Sequence, residues 1–177
     1  ALLIPMNTGF AAWLIRTWPL SPEWSMTSRL SSRGIRVGEP AIAVDDSGKF
    51  HVAWLEGEQE GVFEALYYTV INGETVGQSV VVKTISAGEF LRQPALLADP
   101  AGWLHLAWSG SSRGEIHYSR VRLEDANNPG AWSPVLVLST LAGSSPQLAR
   151  DSAGRLYLLY VTQFNESRGV YLVRSLD

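Results

Sequence analysis

The chain has no cysteine, which excludes disulfide bridges and thiolate-held metal sites and leaves the redox compartment open. It has two lysines, Lys49 and Lys83, and charged residues make up only 18% of its 177 positions. At a net charge of −3 it has no general attraction for nucleic acid or an anionic membrane. Nor do its aromatics interleave with a basic stripe, as a single-strand binder requires. Long apolar runs are missing too. The stretch from Ala1 to Leu20 is broken by Pro5, Asn7, Thr8, Arg16 and Pro19, so membrane insertion is not expected and no signal core is recognised. No segment carries a helical apolar stripe. A phosphate-binding glycine loop, a nucleophile elbow and a His-x-x-x-His zinc motif are all absent, and no cofactor is expected.

What is present is a repeat. Pro40-Ala-Ile-Ala-Val-Asp45-Asp-Ser-Gly48-Lys-Phe-His51-Val-Ala-Trp54 returns as Pro94 through Asp99, Gly102 and His105 to Trp108, and again as Pro146 through Asp151, Gly154 and Tyr157 to Tyr160. The prolines are 54 and then 52 residues apart. Each copy reads as an apolar strand, a tight turn and a second apolar strand. Short runs of Val, Leu, Ile, Tyr and Trp bounded by Gly, Pro, Asp and Ser are strand chemistry. In Asp-x-x-Gly the aspartate bonds the turn backbone and the glycine accepts positive φ. Further strands follow each hairpin. Ile116-His-Tyr-Ser-Arg120 matches Val170-Tyr-Leu-Val-Arg174 and, more loosely, Leu66-Tyr-Tyr-Thr-Val70. Trp132-Ser133 matches Trp24-Ser25.

The strands expected are 40–45, 49–55, 64–71 and 79–85 in a first full unit. They are 94–99, 103–109, 115–122 and 133–139 in a second, and 146–151, 155–162 and 169–175 in a third. Phe10 to Arg16 and Trp24 to Leu30 read as the last two strands of an earlier unit. Many strands are apolar on both alternations, so both sheet faces must be covered. Four-stranded units of this length, each sealing its neighbour, describe an all-β propeller segment. The organisation expected is one array, with a partial blade over 1–31, blades over 40–85 and 94–139, and a blade over 146–177 lacking its fourth strand. Open blade edges are normally hidden. A six- or seven-bladed ring is therefore expected, closed by further propeller sequence or by another copy.

The pattern Pro-x4-Asp-x2-Gly-x2-His-x2-Trp, followed by an Ile-x-Tyr-Ser strand and a Trp-Ser strand opening, resembles the sialidase-like propellers and their Asp-box repeat relatives. The likeness runs from about Phe10 to Arg174. Leu123-Glu-Asp125-Ala-Asn-Asn-Pro-Gly130-Ala-Trp132 resembles a stretched Asp-box, Ser-x-Asp-x-Gly-x-Thr-Trp, a turn-stabilising element. The resemblance implies a terminal-sugar hydrolase that holds a carboxylate with three arginines and uses a Tyr–Glu nucleophile and an Asp acid/base. The family's Arg-Ile-Pro corresponds to Arg36-Val-Gly-Glu-Pro40 and Arg92-Gln-Pro94. An arginine triad is not assigned, and no catalytic residue is named.

Function on a propeller belongs to loops on a rigid scaffold. The resemblance puts the loops between second and third strands, and those joining blades, on one face. From these loops the ligand-binding candidates are Arg36, Glu39, Arg92, Gln93, Arg113, Asn165, Glu166 and Arg168. Guanidinium groups bind carboxylates and other oxygen acceptors in fixed geometry. His51, His105, Trp54 and Trp108 recur at the repeat step and read as packing between blades. Glu56-Gly-Glu58-Gln-Glu60 reads as an exposed acidic loop rather than a calcium site. The leading expectation is a non-catalytic module that binds a glycan or protein outside the cell or at its surface. The alternative is a sialidase-like exo-glycoside hydrolase with part of its active site outside this chain.

Overall fold

The Asp-x-x-Gly turns are the first local decision the chain makes. In the computed structural model, which describes residues 27–31, 36–58, 62–139, 141–163 and 167–176, each turn closes a hairpin. Gly48, Gly102 and Gly154 sit at φ 80°, 84° and 92°, a region that strains any Cβ. Their N–H groups donate to the carbonyls of Asp45, Asp99 and Asp151 at 2.9, 3.1 and 3.1 Å. The carboxylates cap the same turns. Asp45 Oδ1 accepts from the N–H groups of Ser47 and Lys49, Asp99 Oδ1 from Trp103, and Asp151 Oδ1 from Ala153 and Arg155.

By its internal contacts the chain divides into two units, Ala1–Leu30 and Ser31–Asp177, and every described strand lies in the second. The strand expected over 10–16 and the first three residues of the one over 24–30 lie outside the described residues; 27–30 belong to no strand. The first sheet holds β1 (Arg36–Val44), β2 (Phe50–Gly57) and β3 (Ala65–Asn72), with both β4 (Thr75–Val76) and β5 (Val80–Thr84) paired to β3. The second runs β6 (Leu91–Ala98), β7 (Trp103–Gly110), β8 (Glu115–Arg122), β9 (Leu136–Val137). The third runs β10 (Ser144–Arg150), β11 (Leu156–Thr162), β12 (Gly169–Arg174). Neighbouring strands are antiparallel throughout.

The first strand of each sheet starts earlier than its proline. Pro40, Pro94 and Pro146 do not open strands; they sit inside bulges. Register slips between Gly38 and Ala41, between Arg92 and Ala95, and between Ser144 and Gln147. Proline has no N–H to give the ladder, so the strand steps around it. The residues just before, Glu39, Gln93 and Ser145, are thrown to φ 51°, 51° and 53°.

The strands β1, β6 and β10 lie side by side, and the sheets pack face to face outward from them. Between the first two sheets a core forms from Ala53, Leu55, Phe63, Leu66, Leu91, Leu106 and Trp108. A second cluster, Tyr68, Leu104, Val121 and Ala126, continues it. Ala107, Ile116, Leu158 and Tyr160 join the second and third sheets. Each buried leucine contributes about 1.5–3 kcal/mol, whereas an exposed ion pair between blades is worth about 0–1 kcal/mol. Apolar burial therefore holds the array together. Radially packed antiparallel sheets with their first strands innermost make this an arc of a β-propeller. No helix among the described residues is long and apolar enough to cross a membrane.

Candidate functional site

The bulges place three left-handed residues in a row across neighbouring sheets, and their side chains link one sheet to the next. Glu39 Oε1 accepts from Arg92 Nη1 at 2.9 Å and Oε2 accepts from the Gln93 N–H. Gln93 Oε1 in turn accepts from the Ser145 N–H at 2.6 Å. A repeat step that offsets the bulges by 54 and 52 residues thus becomes a hydrogen-bonded chain across the mouth of the arc. The Arg36 guanidinium stacks over Phe63 at 4.3 Å from the ring centre, and Arg92 lies over the same ring at 5.5 Å. Gly38 makes room for that ring, since a Cβ there would sit 3.1 Å from Phe63 Cζ.

Beside this chain a cleft of about 540 Å³ opens between the second and third sheets. Its lining includes Glu39, Phe90, Arg92, Gln93, Ser109 and Arg113. The size suits a small ligand. Ser109 Oγ donates to the Gly143 carbonyl at 2.6 Å, tying the cleft floor to the loop before β10. Arg113 rides on a turn held by Ser111, whose Oγ donates to Glu115 Oε2 at 2.9 Å and accepts from the Arg113 N–H. Among the described residues the exposed Arg113 guanidinium has no partner.

Of the sequence candidates, Glu39, Arg92, Gln93 and Arg113 converge on this cleft. Arg36 stands next to it through Phe63. Arg168 is exposed just ahead of β12 and is not part of the lining. Asn165 and Glu166 lie outside the described residues. Glu39 is already occupied, with both oxygens accepting bonds from the next sheet, so its role here is to hold Arg92 and the Gln93 backbone. Phe63, Phe90 and Ser109 were missed by sequence reasoning. Only Ser109 carried a signal, a hydroxyl where the repeat places Leu55 and Val161.

The acidic loop is also corrected. Glu58 is exposed, but Glu56 is 4% exposed and accepts from the Trp54 indole N–H at 2.6 Å. Its repeat counterpart is Gly110, and there the Trp108 indole N–H is buried without a partner. Glu60 lies outside the described residues.

At the opposite, hairpin-turn end the histidines do more than fill space. His51 Nδ1 meets the Tyr68 hydroxyl at 2.7 Å and Nε2 meets Asp45 Oδ2 at 3.2 Å. His105 repeats this with Tyr118 at 2.7 Å and Asp99 at 3.1 Å. Tyr157 donates directly to Asp151 Oδ2 at 3.0 Å. These contacts lie within a sheet rather than between blades. Burial is the main influence on both histidines and pushes their pKa values below the usual range, against the pull of the aspartates. Burial alone would raise Asp45, but bonds from Ser47, Lys49 and His51 outweigh it and bring its pKa down to about 2. An ionised carboxylate only accepts, so His51 carries its proton on Nε2 and presents a lone pair at Nδ1 to the tyrosine O–H. Both ring nitrogens are thereby used, and the set acts as a turn clamp.

No protein-family model and no curated protein sequence matches the chain. Solved structures do match in fold. An endo-arabinase from Bacteroides thetaiotaomicron superposes with a TM-score of 0.61 at 16% identity, covering 89% of this chain and 63% of that one. An alpha-L-arabinofuranosidase from Lactobacillus brevis gives 0.56 at 14% identity over 85% of this chain and 56% of that one. A GH43_1 enzyme from Xanthomonas citri, complexed with xylotriose, gives 0.54 at 11% identity over 83% and 53%. This chain therefore spans less than two thirds of each of these proteins, and what it shares with them is the β-propeller fold.

Proposed function

We propose that this chain is the substrate-holding arc of a glycoside-hydrolase-type β-propeller, with the cleft beside Arg92 and Arg113 taking a neutral pentose oligosaccharide. The observation that carries the reading is the cleft itself. It offers guanidinium, amide and hydroxyl groups next to the apolar ring of Phe90, on a fold that resembles an arabinase, an arabinofuranosidase and a xylotriose-bound enzyme. Sugars present hydroxyls to such donors and acceptors and apolar ring faces to aromatics. This favours the hydrolase alternative over a purely non-catalytic module.

Glycoside hydrolysis ordinarily needs two carboxyl groups flanking the bond. Among the described lining residues only Glu39 has one, and Arg92 and Gln93 hold it. On this reading the hydrolytic pair comes from residues outside the described lining of the cleft, and the protein works outside the cell. The narrower sialidase-like reading rests on the turn over 123–132 as a degenerate Asp-box. That turn supports the reading only as a structural element, because its Trp132 indole N–H donates to the Ala126 carbonyl and packs edge-on against Tyr68.

Calorimetry with arabinotriose and xylotriose tests the proposal. Binding is expected, weakened at least about tenfold by Arg113→Ala, a change equivalent to about 1.4 kcal/mol, with the melting temperature unmoved. This chain alone should release no sugar. Absence of binding, or binding indifferent to Arg113→Ala, would overturn the assignment of the cleft. Turnover by the isolated chain would overturn its role as a holder only.

A further inference from the structure

The hairpin-turn end carries a cavity of its own, about 620 Å³, wedged between the first and second sheets. One wall comes from the β1–β2 hairpin and the end of β3, with Lys49, His51 and Asn72. The other comes from the end of β8 and the turn after it, with Arg122, Glu124 and Asn127. The size suits a small ligand.

The cavity marks a break in the repeat. Turn and register make Lys49, Val70 and Asn72 the counterparts of Trp103, Arg120 and Arg122. In the second sheet those three stack, with the guanidinium carbons of Arg120 and Arg122 at 4.5 and 4.0 Å from the Trp103 ring centre. Lys49, Val70 and Asn72 supply neither ring nor guanidinium, so the first sheet forms no such stack and the space beside His51 stays open.

The polar groups there divide into engaged and unengaged. Asp45 is engaged, since Oδ1 accepts from the Ser47 N–H and hydroxyl and from the Lys49 N–H, and Oδ2 meets His51 Nε2. His51 is 1% exposed and has both nitrogens held, which makes it a fixed floor. Arg122 is oriented in advance, flat over Trp103 and with Nη1 donating to the Ala101 carbonyl at 2.9 Å. Among the described residues its other N–H groups, the Lys49 ammonium, the Glu124 carboxylate and the side-chain amides of Asn72 and Asn127 have no hydrogen-bond partner. Val70 and Leu123 add apolar surface beside them.

We propose that this cavity binds a sugar acid, a hydroxylated ring carrying a single carboxylate. The unengaged groups are two cations, one carboxylate and two amides. Two positive charges against one negative accommodate one anionic group, and Glu124 opposes a second. A guanidinium already fixed in its plane takes a carboxylate through paired N–H donors. Glu124 and the two amides match hydroxyls, which both donate and accept. Val70 and Leu123 face the C–H surface of the ring. The site is separate from the Arg113 cleft and does not depend on what that cleft takes.

A titration of the 177-residue protein with D-glucuronate, followed by nitrogen–proton correlation NMR, tests the proposal. Saturable shifts are expected at the amides of Lys49, Asn72 and Asn127. D-glucose has the ring without the carboxylate and should bind at least about tenfold more weakly, as loss of a charged hydrogen bond implies. Inorganic phosphate has the charge without the ring and should also bind more weakly. Lys49→Gln removes an exposed charge and keeps the backbone bond to Asp45, so it should weaken glucuronate binding about tenfold with the melting temperature kept. Asn127→Ala should weaken it several-fold. If either variant unfolds, the comparison of the three ligands on the parent protein decides. No saturable shifts, shifts centred on Arg92 and Arg113, or equal binding of glucose and glucuronate would overturn the proposal. Phosphate binding as tightly as glucuronate would overturn it in favour of a plain anion site.

Discussion

Tyr68→Phe is the sharpest perturbation of the hairpin clamp, because it removes one oxygen and little else. The ring keeps its edge contact with Trp132 and its stack beside His51. What is lost is the O–H that faces His51 Nδ1 at 2.7 Å. His51 and Tyr68 are each 1% exposed, so no solvent donor replaces it. The other nitrogen is held by Asp45, which fixes the tautomer and denies the ring an easy way to turn its lone pair elsewhere. An abandoned buried acceptor costs about 1–3 kcal/mol. At about 2–4 °C per kcal/mol for a chain of this size, the melting temperature should fall by roughly 2–12 °C. Tyr118→Phe makes the same chemical change in the second sheet. Tyr118 is only half-buried and lines an open groove between the second and third sheets, where water can take over the bond, so its loss should be the smaller one. Urea melts of both variants, with a double-mutant cycle against His51→Phe, measure the difference. A Tyr68→Phe protein within about 0.3 kcal/mol of the parent, inside the usual error of additivity, would refute the clamp. So would an equal loss at Tyr118.

Stability should fall in two stages on acidification. His51 and His105 have pKa values lowered by burial, and the unfolded chain therefore takes up their protons first. Stability is full above about pH 7 and declines as pH drops through the unfolded histidine value of about 6.5 toward the folded ones. Asp45 at about 2, with Asp99 also lowered, adds a second loss that begins as pH falls below about 4. A series of denaturant midpoints from pH 8 to pH 3 tests both, and a flat profile between pH 7 and pH 5 would contradict the buried neutral histidines. Gly143→Ala should destabilise by about 1–3 kcal/mol, as overpacking does. The new Cβ would lie 2.7 Å from Ile116 Cγ1 and 2.8 Å from Tyr160 Cδ2. Chemical denaturation of that variant is the check, and an unchanged midpoint would mean that the second and third sheets are not packed as described.

The strands and hairpins were legible because their causes are local. Asp45, Asp99 and Asp151 each reach backbone N–H groups only two or four residues away, and three glycines stand where a Cβ is strained. The doubly apolar strands β2 and β7 are buried almost end to end, as covered sheet faces require. The site was legible only as a neighbourhood. That Arg92, Gln93 and Arg113 border one cleft could be anticipated because the repeat located their loops. The finding that Glu39 is bound, while Arg113 has no side-chain partner among the described residues, was beyond reach, since Glu39 meets partners 53 and 54 residues away. The prolines misled for a related reason, because the bulge that absorbs each of them is a property of a paired strand.

The amino-acid order alone therefore determined a stack of antiparallel hairpins and located the loops that carry Arg92, Gln93 and Arg113, through turn geometry and the alternation of apolar residues. Only the tertiary structure decided which polar groups are used up between sheets, that Glu56 is buried under Trp54, and that Trp103 is stacked with Arg120 and Arg122 while Lys49, at the same repeat position, borders a cavity. Those outcomes depend on which residue of a neighbouring sheet lies opposite, and that is set by the packing of whole blades rather than by any short segment of sequence.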